Sequence, residues 1–291
     1  MHFNRKKIKL NDKLSIKSNL SKNKKYKPQK INKKFVSSYK KKIGPPIHRR
    51  RDNIIYKKYN KKKKLFKSKK SISNKLSSGK YLPLSKWTNK LNKEVAFLLG
   101  NGPSISEQPL EILNNYFTIG ANRIFLLYHP TVLFWQDIEL WKRDRKNIMS
   151  SSSIKIARNI SDPNNIAVQY RLIKGWFDFA MQADKIHGTG NTGVLMTQLA
   201  ASLGCRALVL LGMDCKYEDG KTDFYGKNKD HKAYTIQMCN NAMKWLHKKS
   251  PVPIYNCSNI DLWEKRKLQN VIDELKPEKR DFNYYKKIFE K

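Results

Sequence analysis

Residues 95–104, Val-Ala-Phe-Leu-Leu-Gly-Asn-Gly-Pro-Ser, combine residue types that could hold a phosphorylated ligand. An apolar run, Val95 to Leu99, leads without a break into Gly100, Asn101, Gly102, Pro103 and Ser104. Glycine admits backbone angles closed to other residues and lets a ligand approach the main chain. Asn101 and Ser104 add polar side chains at the mouth of the turn. Ser106 is a suitable N-cap and Pro109 is tolerated in a first helical turn, so the spacing predicts a helix from Ser106 to about Asn115. A strand, a glycine turn and a helix N-terminus form an anion site, because unpaired N–H groups and the helix dipole point outward together. The same pattern also describes a tight β–α turn that binds nothing.

Further polar groups recur where other apolar runs end. Asn122 follows the second run, and Asp137 the third. Gly188-Thr189-Gly190-Asn191-Thr192-Gly193 opens a helical stretch whose Leu195, Leu199 and Leu203 share one stripe and which ends at Gly204. Asp214 follows the run Ala207–Leu211, and Asn256 and Ser258 follow the last one. Taken singly, each is an ordinary turn residue. Their recurrence at the same end of successive strands predicts a polar pocket.

The elements that must position these groups alternate. Strands are expected at 95–99, 116–119, 132–135, 154–157, 207–211 and 253–255, with helices near 170–179, 192–203 and 232–248. Alternation of this kind predicts an α/β fold, a doubly wound, mainly parallel Rossmann-like sheet. In such sheets ligands bind beyond the carboxyl ends of the strands, where strand order reverses.

Charge divides the chain near residue 93. Residues 1–93 hold 33 Lys and Arg against two acids, or +31 of the chain's net +38. Runs such as Arg49, Arg50 and Arg51, and Lys61, Lys62, Lys63 and Lys64, sit among scattered apolar residues with no helical or strand period. Such a segment cannot bury enough surface to offset chain entropy, so a long basic, largely disordered arm (1–93) is expected ahead of a nucleotide-binding domain (94–291). The arm is expected to bind nucleic acid or another polyanion by counterion release, with steep salt dependence. A solubilising tail with no partner has the same composition. No secretory signal is expected, since no apolar stretch follows the basic start, and no apolar run is long enough for a membrane helix. Cys205, Cys215, Cys239 and Cys257 form no CxxC pair, which points to reduced thiols rather than a disulfide framework or a zinc site. The expected location is cytoplasmic, with the arm available to a virion, a genome or a ribosome.

The order Leu-Leu-Gly-Asn-Gly-Pro-Ser, Ile-Gly-Ala-Asn-Arg, Gly-Thr-Gly-Asn-Thr-Gly and Leu-Leu-Gly-Met-Asp resembles a Rossmann-like group. It includes the motility-accessory-factor glycosyltransferases that modify flagellin, the archaeal 6-hydroxymethylpterin pyrophosphokinase, the family-42 sialyltransferases, and uncharacterised phage and bacterial members. The resemblance covers about residues 94–265 and none of the arm. For a sialyltransferase it implies an inverting transfer from a CMP-sugar as co-substrate, with no obligatory metal or other cofactor. Gly100, Asn101, Gly102, Pro103 and Ser104 would cradle the nucleotide, with Asn101 and Asn122 as direct ligands. Gly190, Asn191 and Thr192 would line the donor site with Asp214, and Asn256 and Ser258 would face the base or sugar. A histidine suits the task of taking the acceptor hydroxyl's proton; His231, in the polar segment before the 232–248 helix, comes first and His187 second. Segment 214–231 would be a lid over the donor or a solvated loop. For a pyrophosphokinase, Asp137 and Asp214 would help hold Mg²⁺ near ATP. A reading of another class makes the chain a nucleic-acid or ribonucleoprotein-associated structural protein, such as a virion component, on an enzyme-like scaffold.

Overall fold

Two runs of five residues, Val95–Leu99 (β1) and Ala207–Leu211 (β7), are buried at every position and pair in parallel from Val95↔Ala207 to Leu99↔Leu211. Continuous burial is what a strand covered on both faces requires. The computed structural model describes residues 81–173, 179, 182–228 and 232–290. The basic runs at 49–51 and 61–64 and His231 lie outside the described residues. Around β1 and β7 the sheet adds β2 (Thr118–Ala121), β3 (Val132–Trp135), β4 (Ile154–Arg158), β5 (Val168–Ile173), β6 (Lys185–His187) and β8 (Ile254–Asn256). The eight strands are ordered β6-β5-β4-β3-β2-β1-β7-β8, and every pairing is parallel.

Side chains alternate between two cores, one on each face. Ala96 and Leu98 of β1 face α2 (Thr192–Ser202) and α3 (Ala233–Lys249), with Trp87 and the last helix, α5 (Phe282–Phe289), in the same layer. Val95, Phe97 and Leu99 face α1 (Ile138–Ser150) and α4 (Leu268–Leu275). The α/β, doubly wound parallel sheet is thus as expected. The packing of the described residues also reaches back before residue 94. Leu84, Trp87 and Leu91 are buried, Trp87 stacks on Phe289 at 3.8 Å, and Leu82 donates its N–H to the Phe289 carbonyl.

Two local expectations are corrected. The helix expected over 106–115 is a pair of 3-10 turns, Pro103–Glu107 and Leu110–Leu113. Pro109 lacks an N–H and drives the residue before it out of the helical region; Gln108 accordingly takes φ −88°, ψ 137°. The helix expected near 170–179 begins as strand β5, in which Val168 and Tyr170 are buried and Arg171 is exposed. An alternating pattern was there to be read as a strand, and residues 174–178 lie outside the described set.

Candidate functional site

Parallel pairing places the carboxyl ends of all eight strands along one edge of the sheet. The chain order reverses at β1, which lies between β2 and β7, so the crevice of this fold opens above Gly100, Asn122 and Gly212.

The β1 turn is pressed against the turn after β7. Gly100 N–H donates to the Leu211 carbonyl and Gly102 N–H to the Gly212 carbonyl, each at 2.8 Å. A Cβ on Gly102 would come within 2.7 Å of Asp214 Cγ, a distance side chains do not tolerate. Asp214, 2% exposed, accepts the Ser104 N–H on Oδ2 at 2.9 Å. Its Oδ1 accepts the Ser104 hydroxyl at 2.5 Å and the Asn259 N–H at 2.9 Å. The turn therefore differs from the phosphate cradle its sequence suggests. Gly100, Gly102 and Ser104 have given their N–H groups to the protein, Pro103 has none, and a short 3-10 turn replaces the helix whose dipole would draw an anion.

What the turn presents is Asn101. Its Nδ2 donates to the Ala121 carbonyl at 2.9 Å, which fixes the amide and leaves Oδ1 buried without a partner. Asn122, at the end of β2, has a left-handed φ of 49° and a second buried, unpartnered Oδ1. Asn tolerates that conformation better than most residues. Two amide acceptors from neighbouring strands are thus left to accept bonds from a ligand's hydroxyl or amino groups, and as acceptors they would repel a phosphate.

Open donors lie instead at the first turn of α2. Asn191 caps this helix, its Oδ1 accepting Val194 N–H at 3.2 Å. Gln136, buried at the end of β3, donates Nε2 to the Thr192 hydroxyl at 2.7 Å. On the other side, Asn191 Nδ2 reaches Cys215 Sγ at 3.6 Å, beyond β7. The helix start is therefore held between the β3 and β7 ends, with β2 and β1 running between them. The N–H groups of Thr192 and Gly193 have no intrahelical acceptor, and the Thr189 hydroxyl, in a residue 1% exposed, is buried without a partner. The helix terminus with open N–H groups at the switch point is therefore that of α2, five strands later in the chain than the β1 motif.

The segment after Asp214 crosses the opening. Phe224 N–H donates to the Asn101 carbonyl at 2.7 Å, and Arg123 lies 4.6 Å over the Tyr225 ring while also pairing with Asp144 at 3.3 Å. Burial, helped by the nearby Asp223 carboxylate, raises the Tyr225 hydroxyl above its ordinary range, so this ring stays a neutral hydrogen-bonding group.

Other expected site residues are placed elsewhere. Asn256, 1% exposed, spends Nδ2 on the Ile260 and Trp263 carbonyls and Oδ1 on Ser258 N–H. Ser258 accepts Met213 N–H at 2.9 Å, so both side chains brace the β7 and β8 loops. Asp137 is exposed at the end of β3, about 14 Å in strand spacings from β7, while Asp214 is occupied by protein donors. The structure does not bring the two together around one ion. Among the described residues, no group of three or more His, Cys, Asp or Glu side chains could hold a metal. His187 ends β6 beside α2, its N–H donating to Gln198 Oε1 at 3.1 Å and its carbonyl accepting Gln198 Nε2 at 2.9 Å. Its Nδ1 is buried without a partner. Gln136 and Gln198 were not anticipated; the signal for Gln136 was its place directly after an apolar run.

Fold and site together define a doubly wound α/β protein with a polar opening at its switch point. Among the described residues no helix is long and apolar enough to cross a membrane. No protein-family model matches the chain, and no curated protein matches it in sequence. Among solved structures it is similar to the sialyltransferase CstII from Campylobacter jejuni in complex with cytidine-5'-monophosphate, with 14% identity, 56% of this chain and 79% of that one covered, and a TM-score of 0.35. It is also similar to the monofunctional alpha-2,3-sialyltransferase Cst-I from Campylobacter jejuni, with 14% identity, 58% and 77% covered, and a TM-score of 0.33. For the apo form of an alpha-2,3-sialyltransferase from the same organism the values are 17%, 60% and 79%, with a TM-score of 0.34.

Proposed function

We propose that this chain is a nucleotide-sugar glycosyltransferase of the inverting, sialyltransferase-like type, taking a CMP-sugar at the β1–β2–β7 opening. The observation that carries the reading is the pair of buried, unpartnered acceptors Asn101 Oδ1 and Asn122 Oδ1. Buried polar groups of native proteins are almost always paired, so two left open at a switch point reserve that place for a ligand. A nucleoside supplies the hydroxyl and amino donors these atoms need, and its phosphate suits the start of α2 with Thr189 and Thr192. The order of motifs along the chain supports the same reading. In the transfer, the acceptor hydroxyl oxygen forms the new glycosidic bond and the nucleotide phosphate leaves with the old bonding pair. The hydroxyl proton goes to a base, for which His231 and His187 are proposed. Residues 1–93 are proposed to tether the enzyme to a polyanion.

The test is calorimetry on the full chain in high salt, which suppresses binding of nucleotides to the basic arm. CMP and CMP-sialic acid should bind without added metal, and Asn101→Ala and Asn122→Ala should each lose about tenfold or more in affinity, the cost of one or two ligand hydrogen bonds. Unchanged affinity in both variants would sink the proposal. ATP binding that requires Mg²⁺ would replace it with the pyrophosphokinase reading. Loss of turnover with retained CMP affinity in His231→Asn or His187→Asn would identify the base.

A further inference from the structure

Four sulfur-bearing side chains converge behind the Gly190–Gly193 turn. A Cβ on Gly193 would lie 2.5 Å from Met213 Sδ, and one on Gly190 would lie 3.2 Å from the Met238 methyl. Asn191 Nδ2 reaches Cys215 Sγ at 3.6 Å, and Asn240 Nδ2 donates to the Cys215 carbonyl at 3.0 Å, drawing the loop after β7 onto α3. The Cys215 and Cys239 thiols hydrogen-bond to each other. Cys215 immediately precedes residues 216–228, whose Phe224 N–H donates to the Asn101 carbonyl, and Cys239 lies in the second turn of α3. The pair therefore joins the loop after β7 to α3.

We propose that Cys215 and Cys239 are a modification site: a small-molecule disulfide of the glutathione type converts this dithiol to an intramolecular disulfide that ties the loop after β7 to α3. The inference goes beyond the nucleotide-sugar reading and does not depend on it. In the first step the Cys239 thiolate attacks the reagent, whose S–S bond breaks to release one thiolate and leave a mixed disulfide. The hydrogen bond from Cys239 and burial raise the Cys215 thiol above its ordinary range, so Cys239 is assigned the first attack as part of the proposal. Cys215 then attacks the Cys239 sulfur, the mixed disulfide breaks, and a second reagent thiolate leaves. Two protein thiols are oxidised, one reagent disulfide is reduced to two thiols, and the two protons end on those thiols. Cys205 and Cys257 are internal controls, each fully buried and one in each of the two cores.

The experiment treats the reduced full chain with oxidised glutathione, alkylates the remaining thiols and maps linked peptides by mass spectrometry. Amide hydrogen exchange of residues 216–228 is followed in parallel. A Cys215–Cys239 linkage reversible by dithiothreitol is expected, with exchange across residues 216–228 slowed at least about tenfold, below the ceiling of roughly a few hundredfold set by closing a loop of this length. Cys239→Ser should give no intramolecular linkage and unchanged exchange, and Cys215→Ala should do the same should the serine variant fail to fold. Stable single adducts in the wild type, a linkage to Cys205 or Cys257, or a linkage that leaves exchange unchanged would overturn the proposal. None of these readouts uses a nucleotide, so failure here and failure of the transferase reading are separate results.

Discussion

Replacing Asp214 by alanine should unfold the domain more readily. Its carboxylate accepts Ser104 N–H at 2.9 Å, the Ser104 hydroxyl at 2.5 Å and Asn259 N–H at 2.9 Å, from a side chain that is 2% exposed. Water cannot replace it at that depth, so Asp214→Ala orphans three donors. Each orphaned buried donor costs about 1–3 kcal/mol, and three that share one acceptor add less than fully, giving roughly 3–5 kcal/mol. Asp214→Asn keeps an oxygen for two of the donors but turns an NH₂ group against the third, for about 1–3 kcal/mol. For a domain of this size those losses lower Tm by about 10 °C for the alanine and about half that for the asparagine. Urea unfolding followed by tryptophan fluorescence, with thermal melts beside it, measures both. An alanine variant within about 1 kcal/mol of wild type would refute the reasoning. In that case the carboxylate would be held in reserve for a ligand or a cation rather than spent on the fold.

Two further outcomes follow from the same geometry. Gly102→Ala should destabilise by about 1–3 kcal/mol, because its Cβ would meet Asp214 Cγ at 2.7 Å and the Gly212 carbonyl at 2.8 Å; a melt matching wild type would mean the two turns part easily. Glu94, 5% exposed at the start of β1, has its carboxyl raised above the usual value of 4.5 mainly by burial, while the Tyr285 hydroxyl at 3.0 Å pulls the other way. The folded state thus holds this proton more tightly than the unfolded state, so the contribution of Glu94 is full below pH 4.5 and falls as pH rises through the folded pKa. Glu94→Gln should flatten that decline, and parallel Tm-against-pH curves for the two proteins would count against it.

The central strands were legible because burial on both faces writes itself as an unbroken apolar run, as in β1 and β7. Elements at the margins were not. The helix α4 closes on Lys276 at φ 46° rather than on a glycine, so its end carried no signal. The cap of α5 was readable in principle, since Asp281 accepts Tyr284 N–H at 2.8 Å three residues on. Pro109 was counted as compatible with one helix, although Pro103 and Pro109 together permit only two short turns.

The site was legible as a set of residues and illegible as a division of labour. Asn101, Asp214, Asn256 and Ser258 look alike in sequence, each a polar residue just past a strand. What separates them is whether a partner arrives from a distant part of the chain. Asp214 meets Ser104 across 110 positions and Ser258 meets Met213 across 45, and neither bond leaves a local trace. Once those bonds are taken away, the atoms left without partners include Asn101 Oδ1, Asn122 Oδ1 and the Thr189 hydroxyl, with the first turn of α2 beside them. Two are acceptors suited to a ligand's hydroxyl or amino groups, and the other side of the opening offers hydroxyls and amide N–H groups suited to an anion. A ligand that satisfies both must carry hydrogen-bond donors at one end and negative charge at the other. A nucleoside phosphate does, whereas a bare phosphate would leave the two asparagine oxygens unpaired.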